Sequence, residues 1–283
     1  MNVLSLFDGI SCGQIALNRA NVDYTTYFAS EIDKYCIQVT QTHYPNTIQL
    51  GNVISLEMKK YNLPNIDLLI GGSPCQSFSS AGTMDGFDGK SKLFWEYVRI
   101  LNEVKPKYFL LENVVMKSEF KNIITDALGV APILIDSKWF SAQRRKRLYW
   151  TNIPNIILPY YDNGGTVKDI LDECVDERFF LSDRAIARLS RNVFTKPYDT
   201  IDTDKTGTLL SSYYKTNATG IYFDDGYRKR KYTPTECEKL QTLPPNYTSG
   251  QSITQRYKMI GNGWTVDVVA HILSSLNVND HYF

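Results

Sequence analysis

Three short segments carry residues that could do chemistry on a bound ring or carbonyl. The first is Gly71-Gly72-Ser73-Pro74-Cys75-Gln76-Ser77-Phe78-Ser79. A lone cysteine is more often a small buried hydrophobe than a nucleophile. Cys75, however, is framed by two glycines and a proline. It directly follows an apolar run, Ile66 to Gly71, that reads as a strand, and loops after strands are where catalytic groups are held. The second segment is Leu110-Leu111-Glu112-Asn113-Val114. Glu112 ends another apolar run and is expected in the same crevice, two sheet positions over. In a partly apolar site its carboxyl would stay protonated near neutral pH and could donate to a ring nitrogen; a helix cap or a salt bridge is the plainer alternative. The third is Gln143-Arg144-Arg145-Lys146-Arg147. A basic run is ordinarily a solvated face, but it can also contact phosphate or support an active site.

These residues need a scaffold, and the first half of the chain supplies the pattern of one. Apolar runs at Val3 to Phe7, Tyr24 to Ser30, Ile48 to Leu50, Ile66 to Gly71 and Tyr108 to Glu112 read as strands. Between them Gln14 to Ala20, Asp33 to His43 (capped by Asp33) and Ser91 to Val104 read as helices. Alternating strands and helices predict an α/β fold with a doubly wound, mostly parallel sheet. After Trp150 the composition shifts to Tyr, Thr, Asp and Gly, with weak strand signals at Thr208 to Tyr214 and Gly220 to Phe223. This predicts a small inserted module over 152–231, with 1–151 and 232–283 forming the main domain. Pro234 to Leu240 resumes helical character, and a turn at Gly261-Asn262-Gly263 precedes a last amphipathic helix.

The opening strand, turn and helix contain Phe7-Asp8-Gly9-Ile10-Ser11-Cys12-Gly13. Glycines let backbone approach a ligand and a helix start offers free N–H groups. The spacing is GxxxG rather than the GxGxxG of a pyrophosphate cradle, and a turn that merely packs helix on sheet fits as well. Glu31 at the end of the second strand could accept hydrogen bonds from a ribose diol, or be an ordinary surface acid. Asn52-Val53 follows the third strand, where an adenine pocket would finish, or where a solvated loop would run.

The bulk composition narrows the classes. The chain has 283 residues, 43% hydrophobic and 22% charged, with a net charge of +1. That balance is ordinary for a globular protein and gives a nucleic-acid reading no global support. Five cysteines at wide spacing, without a CxxC pair, and three scattered histidines indicate neither a zinc site nor a disulfide framework, so no metal is expected. Asp202, Asp204 and Gly207 imitate the start of a calcium loop, but its twelfth position would be Tyr213 rather than glutamate. Without a signal-like start or a long apolar run, a cytoplasmic location without membrane contact is expected.

Taken in order, FxGxxxG from Phe7, Ser73-Pro74-Cys75-Gln76, Glu112-Asn113-Val114, Gln143-x-Arg145-x-Arg147, Thr233-Pro234-x-Glu236 and Gly261-Asn262 resemble the motifs of the cytosine-5 DNA methyltransferase family, over nearly the whole chain. Pro-Cys-Gln is similar to the bacterial and phage enzymes, and Ser141-Ala142 to the animal de novo branch. The resemblance implies the S-adenosylmethionine-dependent methyltransferase fold and S-adenosyl-L-methionine as cofactor, held by Phe7, Gly9, Gly13, Glu31, Ile32, Asn52, Val53, Ser73, Asn262 and Val266. It implies that Cys75 adds as thiolate to carbon 6 of a flipped cytosine, that Glu112 holds N3 and the exocyclic amine, and that Arg145 and Arg147 support the base carbonyl and the thiolate. Pro74, Gln76, Ser79, Asn113, Gln143, Arg228 and Arg230 would meet the base or the DNA. Two departures stand out: Asn52 where an Asp is common, and Gly263 where Ser or Ala is usual.

The implied partner is double-stranded DNA, read by the 152–231 module, and a companion restriction endonuclease is consistent with such an enzyme. A monomer is expected, with a dimer as the alternative. A module so small predicts a recognition site of about two to four base pairs, because few side chains can reach base edges. Three other readings compete. One branch of the same family methylates transfer RNA. A nicotinamide-dependent oxidoreductase would need GxGxxG and has no use for Pro-Cys-Gln. An idle accessory DNA-binding protein would not need Cys75 and Glu112.

Overall fold

A computed structural model of the chain describes residues 1–61, 63–74 and 93–281. The chain divides into two compact units, one of Met1–Ile135, Lys146–Leu158 and Val269–Phe283, the other of Asp136–Arg145 and Pro159–Val268.

The first unit is built on a sheet of β1 (Asn2–Leu6), β2 (Thr26–Ser30), β3 (Ile48–Gln49), β4 (Leu68–Gly71), β5 (Tyr108–Val114), β6 (Ile133–Asp136) and β7 (Lys146–Thr151), in the order β3-β2-β1-β4-β5-β7-β6. Strands β1 to β5 pair in parallel, and β7 runs antiparallel to β5. The intervening helices are α1 (Cys12–Arg19), α2 (Lys34–His43), α3 (Leu93–Val104) and α4 (Ser118–Leu128). A parallel sheet covered on both faces needs strands that are apolar throughout. Val3, Leu4 and Leu6 of β1 and Leu68, Leu69 and Ile70 of β4 are accordingly all fully buried. Helix α3 buries Phe94, Tyr97 and Ile100 on one stripe, each such side chain stabilising the fold by about 1.5–3 kcal/mol.

Local signals set the helix ends. Asp33 Oδ1 accepts the Tyr35 amide at 2.9 Å and starts α2, as its position in the sequence predicts. Gly129, at φ +69°, stops α4 in the left-handed conformation. The chain reverses its winding direction between β1 and β4, and the crevice outside their carboxyl ends is the ligand position of such sheets. Strand β5 lies next to β4, so Glu112 is one sheet position over from the strand that leads to Cys75, not two.

The second unit holds α5 (Val167–Ile170), α6 (Asp183–Ser190), the β8 (Phe223–Asp224) and β9 (Lys229–Arg230) ribbon, α7 (Pro234–Leu240) and α8 (Ile253–Asn262); α9 (Val266–Leu273) begins at its edge. Its core is aromatic: Tyr213, Tyr222, Phe223, Tyr232 and Tyr257 are all buried, and Tyr213 meets Tyr257 edge-on at 5.1 Å. The unit is larger than the 152–231 segment marked by composition. Residues 232–268 belong to it: the Tyr232 amide donates to the Tyr213 hydroxyl at 2.8 Å, and Glu236 accepts the Asp172 amide at 2.9 Å.

Three local expectations change. Thr208 to Tyr214 is not a strand: Ser211–Tyr214 forms a single 3-10 turn, and the Tyr213 hydroxyl accepts the Tyr232 amide at 2.8 Å. Of Gly220 to Phe223 only Phe223 enters a strand. Gly261 and Asn262 form the end of α8 rather than a turn. A Cβ on Gly261 would sit 2.5 Å from the Leu210 carbonyl group, so glycine is needed there for close packing.

Candidate active site

The loop after β1 is contorted. Phe7, Gly9 and Ser11 all have φ near +60°, a conformation that costs non-glycine residues about 1 kcal/mol or more. Glu31 pins this loop to the end of β2: its Oε2 accepts the Gly9 amide at 2.8 Å, and its Oε1 accepts the Ile32 and Asp33 amides at 2.7 and 2.8 Å. A Cβ on Gly9 would meet nothing within 4 Å, so this glycine answers to the backbone angle and leaves open space above the loop. Gly13 does the opposite. A Cβ there would collide with Ile70 and with the Tyr27 hydroxyl, so Gly13 packs α1 on the sheet rather than facing a ligand.

Below the loop, Asp8 is buried. Its Oδ1 accepts the Tyr27 hydroxyl at 2.8 Å, and its Oδ2 has no hydrogen-bond partner among the described residues. Burial pushes the Asp8 carboxyl up to about 6, against the opposing hydrogen bonds of Ser5, Tyr27 and Ser11. Sequence reading passed over Asp8; an acid directly after a buried strand was the available signal. Ile32 next to Glu31 is 72% exposed. Asn52 is exposed, and its Oδ1 caps the 3-10 turn at Val53–Ser55 through the Ile54 amide at 3.0 Å. Val53 is in the core, and Phe7 packs partly against it.

On the other side of the switch point, Ser73 is buried at the end of β4, and Pro74 follows. Cys75, Gln76 and Ser79 lie outside the described residues. Asn113 on β5 holds the segment that leads to Cys75: its Nδ2 donates to Ser73 Oγ at 3.1 Å and to the Ser73 carbonyl at 3.3 Å. At 1% exposure Asn113 is a positioning residue here rather than a contact for DNA. Among the other cysteines, Cys12, Cys36 and Cys237 are buried and Cys174 is exposed. Burial drives the thiols of Cys36 and Cys237 upward, away from the nucleophilic form.

Glu112 and Arg147 form the charged centre of this end. Register pairs Glu112 with Tyr149 and Val114 with Arg147, so the two side chains are diagonal neighbours on one face of the β5–β7 pair. Arg147 Nε lies 2.9 Å from Glu112 Oε1, with the side chains 13% and 12% exposed. The surroundings of Glu112 are therefore an ion pair and not the partly apolar site expected.

The other basic residues have different duties. Arg145 is 5% exposed. It donates through Nη1 to the Leu209 carbonyl at 2.9 Å, and through Nη2 to those of Gly261 and Gly263 at 3.2 and 3.0 Å. It ties three segments of the second unit together. Gln143 is fully buried, its Nε2 donating to the Leu240 carbonyl at 3.0 Å and its Oε1 accepting the Leu209 amide at 2.7 Å; it has no surface to offer DNA. Arg230, 3% exposed, makes a bidentate pair with the buried Glu236 at 2.7 and 2.8 Å, so the expectation of a DNA contact fails for it. Arg228 is exposed, yet it is forked onto Glu177 at 2.8 and 2.7 Å and stacked 3.8 Å from the Phe180 ring. Asn262 is exposed at the end of α8, and Val266 is buried at the start of α9.

Comparison with known proteins settles the family. The family described as C-5 cytosine-specific DNA methylase matches residues 1–277. The chain belongs to this family. Among its relatives are the type II methyltransferase M.NlaX of Neisseria lactamica, 29% identical over 97% of this chain and 95% of that protein, and the orphan methyltransferase M.SPRI of Bacillus phage SPR, 39% identical over 53% of this chain and 37% of that protein. The fold is that of the Entamoeba histolytica methyltransferase EhMeth, with a TM-score of 0.85 at 19% identity over 99% of this chain and 98% of that one. It is also that of Spodoptera frugiperda DNMT2, with a TM-score of 0.80 at 21% identity over 98% and 99%.

This cytosine-5 methylase family uses S-adenosylmethionine, and the first unit fits it. The space over Gly9, the Glu31 carboxylate at the end of β2 and the exposed face of Ile32 offer a close backbone approach, an acceptor for a ribose diol and an apolar face for a base. No described helix is long and apolar enough to cross a membrane, and no group of three His, Cys, Asp or Glu side chains among the described residues is placed to hold a metal.

Proposed function

We propose that this methylase transfers a methyl group to carbon 5 of a flipped-out cytosine in duplex DNA, with Cys75 as the covalent nucleophile. The observation that carries the reading is the Glu112–Arg147 pair at the carboxyl end of β5. It adjoins the Ser73-Pro74 segment that Asn113 anchors immediately before Cys75.

Carbon 5 of cytosine is a weak nucleophile. Addition of the Cys75 thiolate to carbon 6 turns the C5=C6 bond into an enamine whose electrons can attack a methyl group. Glu112 would accept a hydrogen bond from the exocyclic amine and, acting as the acid, give N3 the proton that neutralises the charge thiolate addition places there, taking it back when the ring is restored. Arg147, held beside it, would donate to the base carbonyl. S-adenosylmethionine supplies, when bound, an electrophilic methyl group. Phe7, Gly9, Glu31, Ile32 and Val53 would hold it in the first unit. Loss of the carbon-5 proton then lets the Cys75–C6 bond break, which restores the aromatic ring and the thiolate. Flipping brings the base to these groups, since neither C5 nor C6 can be reached inside a duplex.

The type II relatives favour DNA as substrate; the likeness to DNMT2 structures at about one-fifth identity concerns the fold alone. Labelled methyl transfer to unmethylated duplex DNA and, in parallel, to unmodified transfer RNA tests this. Label in DNA at 5-methylcytosine is expected, and label in transfer RNA alone would overturn the proposal.

A further inference from the structure

Neither of the arginines that the sequence offered to DNA in the second unit is free to serve it: Arg230 is buried against Glu236 and Arg228 is engaged with Glu177. The same unit carries another surface that its own folding leaves unexplained. Helix α6 is amphipathic. Ala185, Ile186 and Leu189 face inward, with Leu189 at 2% exposure, while Arg184, Arg188 and Arg191 are exposed; Arg188 also donates through Nη2 to the Thr216 carbonyl, which leaves its other N–H groups to solvent. Their spacing of i, i+4 and i+7 puts the three guanidinium groups on one stripe. Over 182–197 there are four cations, with Lys196, against the single carboxylate of Asp183. In a chain whose net charge is only +1, that is a strongly local concentration.

The stripe runs into a projecting apolar tip. Val193 is 91% exposed and Phe194 77% exposed. A tight turn holds them out: the Phe194 amide donates to Asn192 Oδ1 at 2.9 Å, the Thr195 amide to the Asn192 carbonyl at 3.0 Å, and Thr195 Oγ1 to the Leu189 carbonyl at 2.6 Å. Two large apolar side chains are thus built into water by a hydrogen-bonded turn at the end of a basic helix. Exposed apolar residues rimmed by charge mark interaction sites, and the sign of the rim selects a polyanion.

We propose that α6 and the Asn192–Thr195 turn are a duplex-DNA contact element of this methylase, with Arg184, Arg188 and Arg191 along the phosphates of one strand and Val193 and Phe194 entering the adjoining groove against base edges. The inference rests on duplex DNA being the substrate. The dimensions agree. The stripe from Arg184 to Arg191 covers about 10 Å of helix, against one phosphate per about 3.4 Å of axis on each strand. The division of labour is that of DNA-binding proteins generally: phosphate contacts fix position, and apolar groups meet thymine methyls or wedge against a base step.

Three variants of the full chain test it: R184Q/R188Q/R191Q, R184K/R188K/R191K and V193S/F194S. All are changes of exposed side chains; glutamine and lysine at 188 both keep a donor for the Thr216 carbonyl, so thermal melting and S-adenosylmethionine binding should stay near the wild type. Binding of a short fluorescent duplex is measured against salt, and methyl transfer is measured on amplified, hence unmethylated, genomic DNA. The glutamine variant should lower the slope of log affinity against log salt by about 2–3, because each lost phosphate contact removes about 0.9; the lysine variant should keep the slope. V193S/F194S should keep the slope but lower kcat/KM for DNA about 10-fold or more, as truncation of a central apolar anchor does. Wild-type slope and kcat/KM in the glutamine and serine variants would overturn the inference while leaving the DNA reading intact. So would loss of a protein partner with DNA kinetics unchanged. A wild-type enzyme that labels transfer RNA but not duplex DNA would overturn both.

Discussion

The reassignment of Arg230 from DNA contact to buried strut can be tested on its own. Arg230 and Glu236 are 3% and 0% exposed, and two charge-assisted bonds of 2.7 and 2.8 Å join them. In Arg230→Met the Glu236 carboxylate would keep two donors among the described residues, the Thr233 amide at 2.7 Å and the Asp172 amide at 2.9 Å. Breaking a buried pair costs about 3–5 kcal/mol. With the two backbone donors still in place, the lower figure of about 3 kcal/mol applies, or roughly 100-fold in the opening equilibrium of the second unit. Adding Glu236→Gln removes the stranded charge but keeps an acceptor for only one of those amides, which sit on different oxygens, so the double variant should recover part of the loss. Hydrogen exchange followed by mass spectrometry reads this directly on peptides containing Asp172 and Thr233. Duplex-DNA affinity of the double variant, measured with its salt dependence, should be that of the wild type. An Arg230→Met protein with unchanged exchange but with DNA affinity and salt slope reduced would show that the guanidinium lies on phosphate, and would refute the assignment.

Two further perturbations probe the first unit. Burial raises Asp8 to about 6 from an ordinary value of 3.8, so the folded state binds more protons than the unfolded chain between those values. Stability is therefore lost as pH rises from about 4 through 6, by up to about 3 kcal/mol. Asp8→Asn should flatten this profile in thermal unfolding and be the more stable protein above pH 6; a wild-type profile in the variant would contradict it. Glu112→Gln keeps the shape but removes the charge that faces Arg147. It should lower kcat by about 100-fold or more while leaving S-adenosylmethionine binding near wild type, as checked by single-turnover kinetics and calorimetry; undiminished turnover would remove Glu112 from the chemistry.

Sequence showed the parallel half of the sheet plainly because strands buried on both faces read as unbroken apolar runs, as in Leu68–Gly71. Strand β7 was hidden: its first residues, Lys146 and Arg147, belong to the basic run, and its insertion between β5 and β6 is a long-range pairing with no local mark. That same pairing brings Arg147 to Glu112, so both residue types were legible and their ion pair was not. Arg230 was misread because a basic run at 228–231 looks solvated. The capping box of Thr233 and Glu236 just downstream, which buries an acid six residues away, was the signal that could have corrected it. Arg228 had no such signal, since Glu177 lies 51 residues earlier. Val193 and Phe194 were overlooked because exposure of an apolar pair in a tight turn depends on the packing of α6, which composition does not report.

The central claim is the covalent step at Cys75. The most direct measurement is trapping on duplex DNA that carries 5-fluorocytosine in place of cytosine, with S-adenosylmethionine present. Fluorine at carbon 5 cannot leave as a proton does, so the Cys75–C6 bond should persist through denaturation, and digestion should yield a Cys75 peptide joined to the base. The Cys75→Ser protein should form no such adduct. An adduct on another residue, or full methylation by Cys75→Ser, would contradict the account.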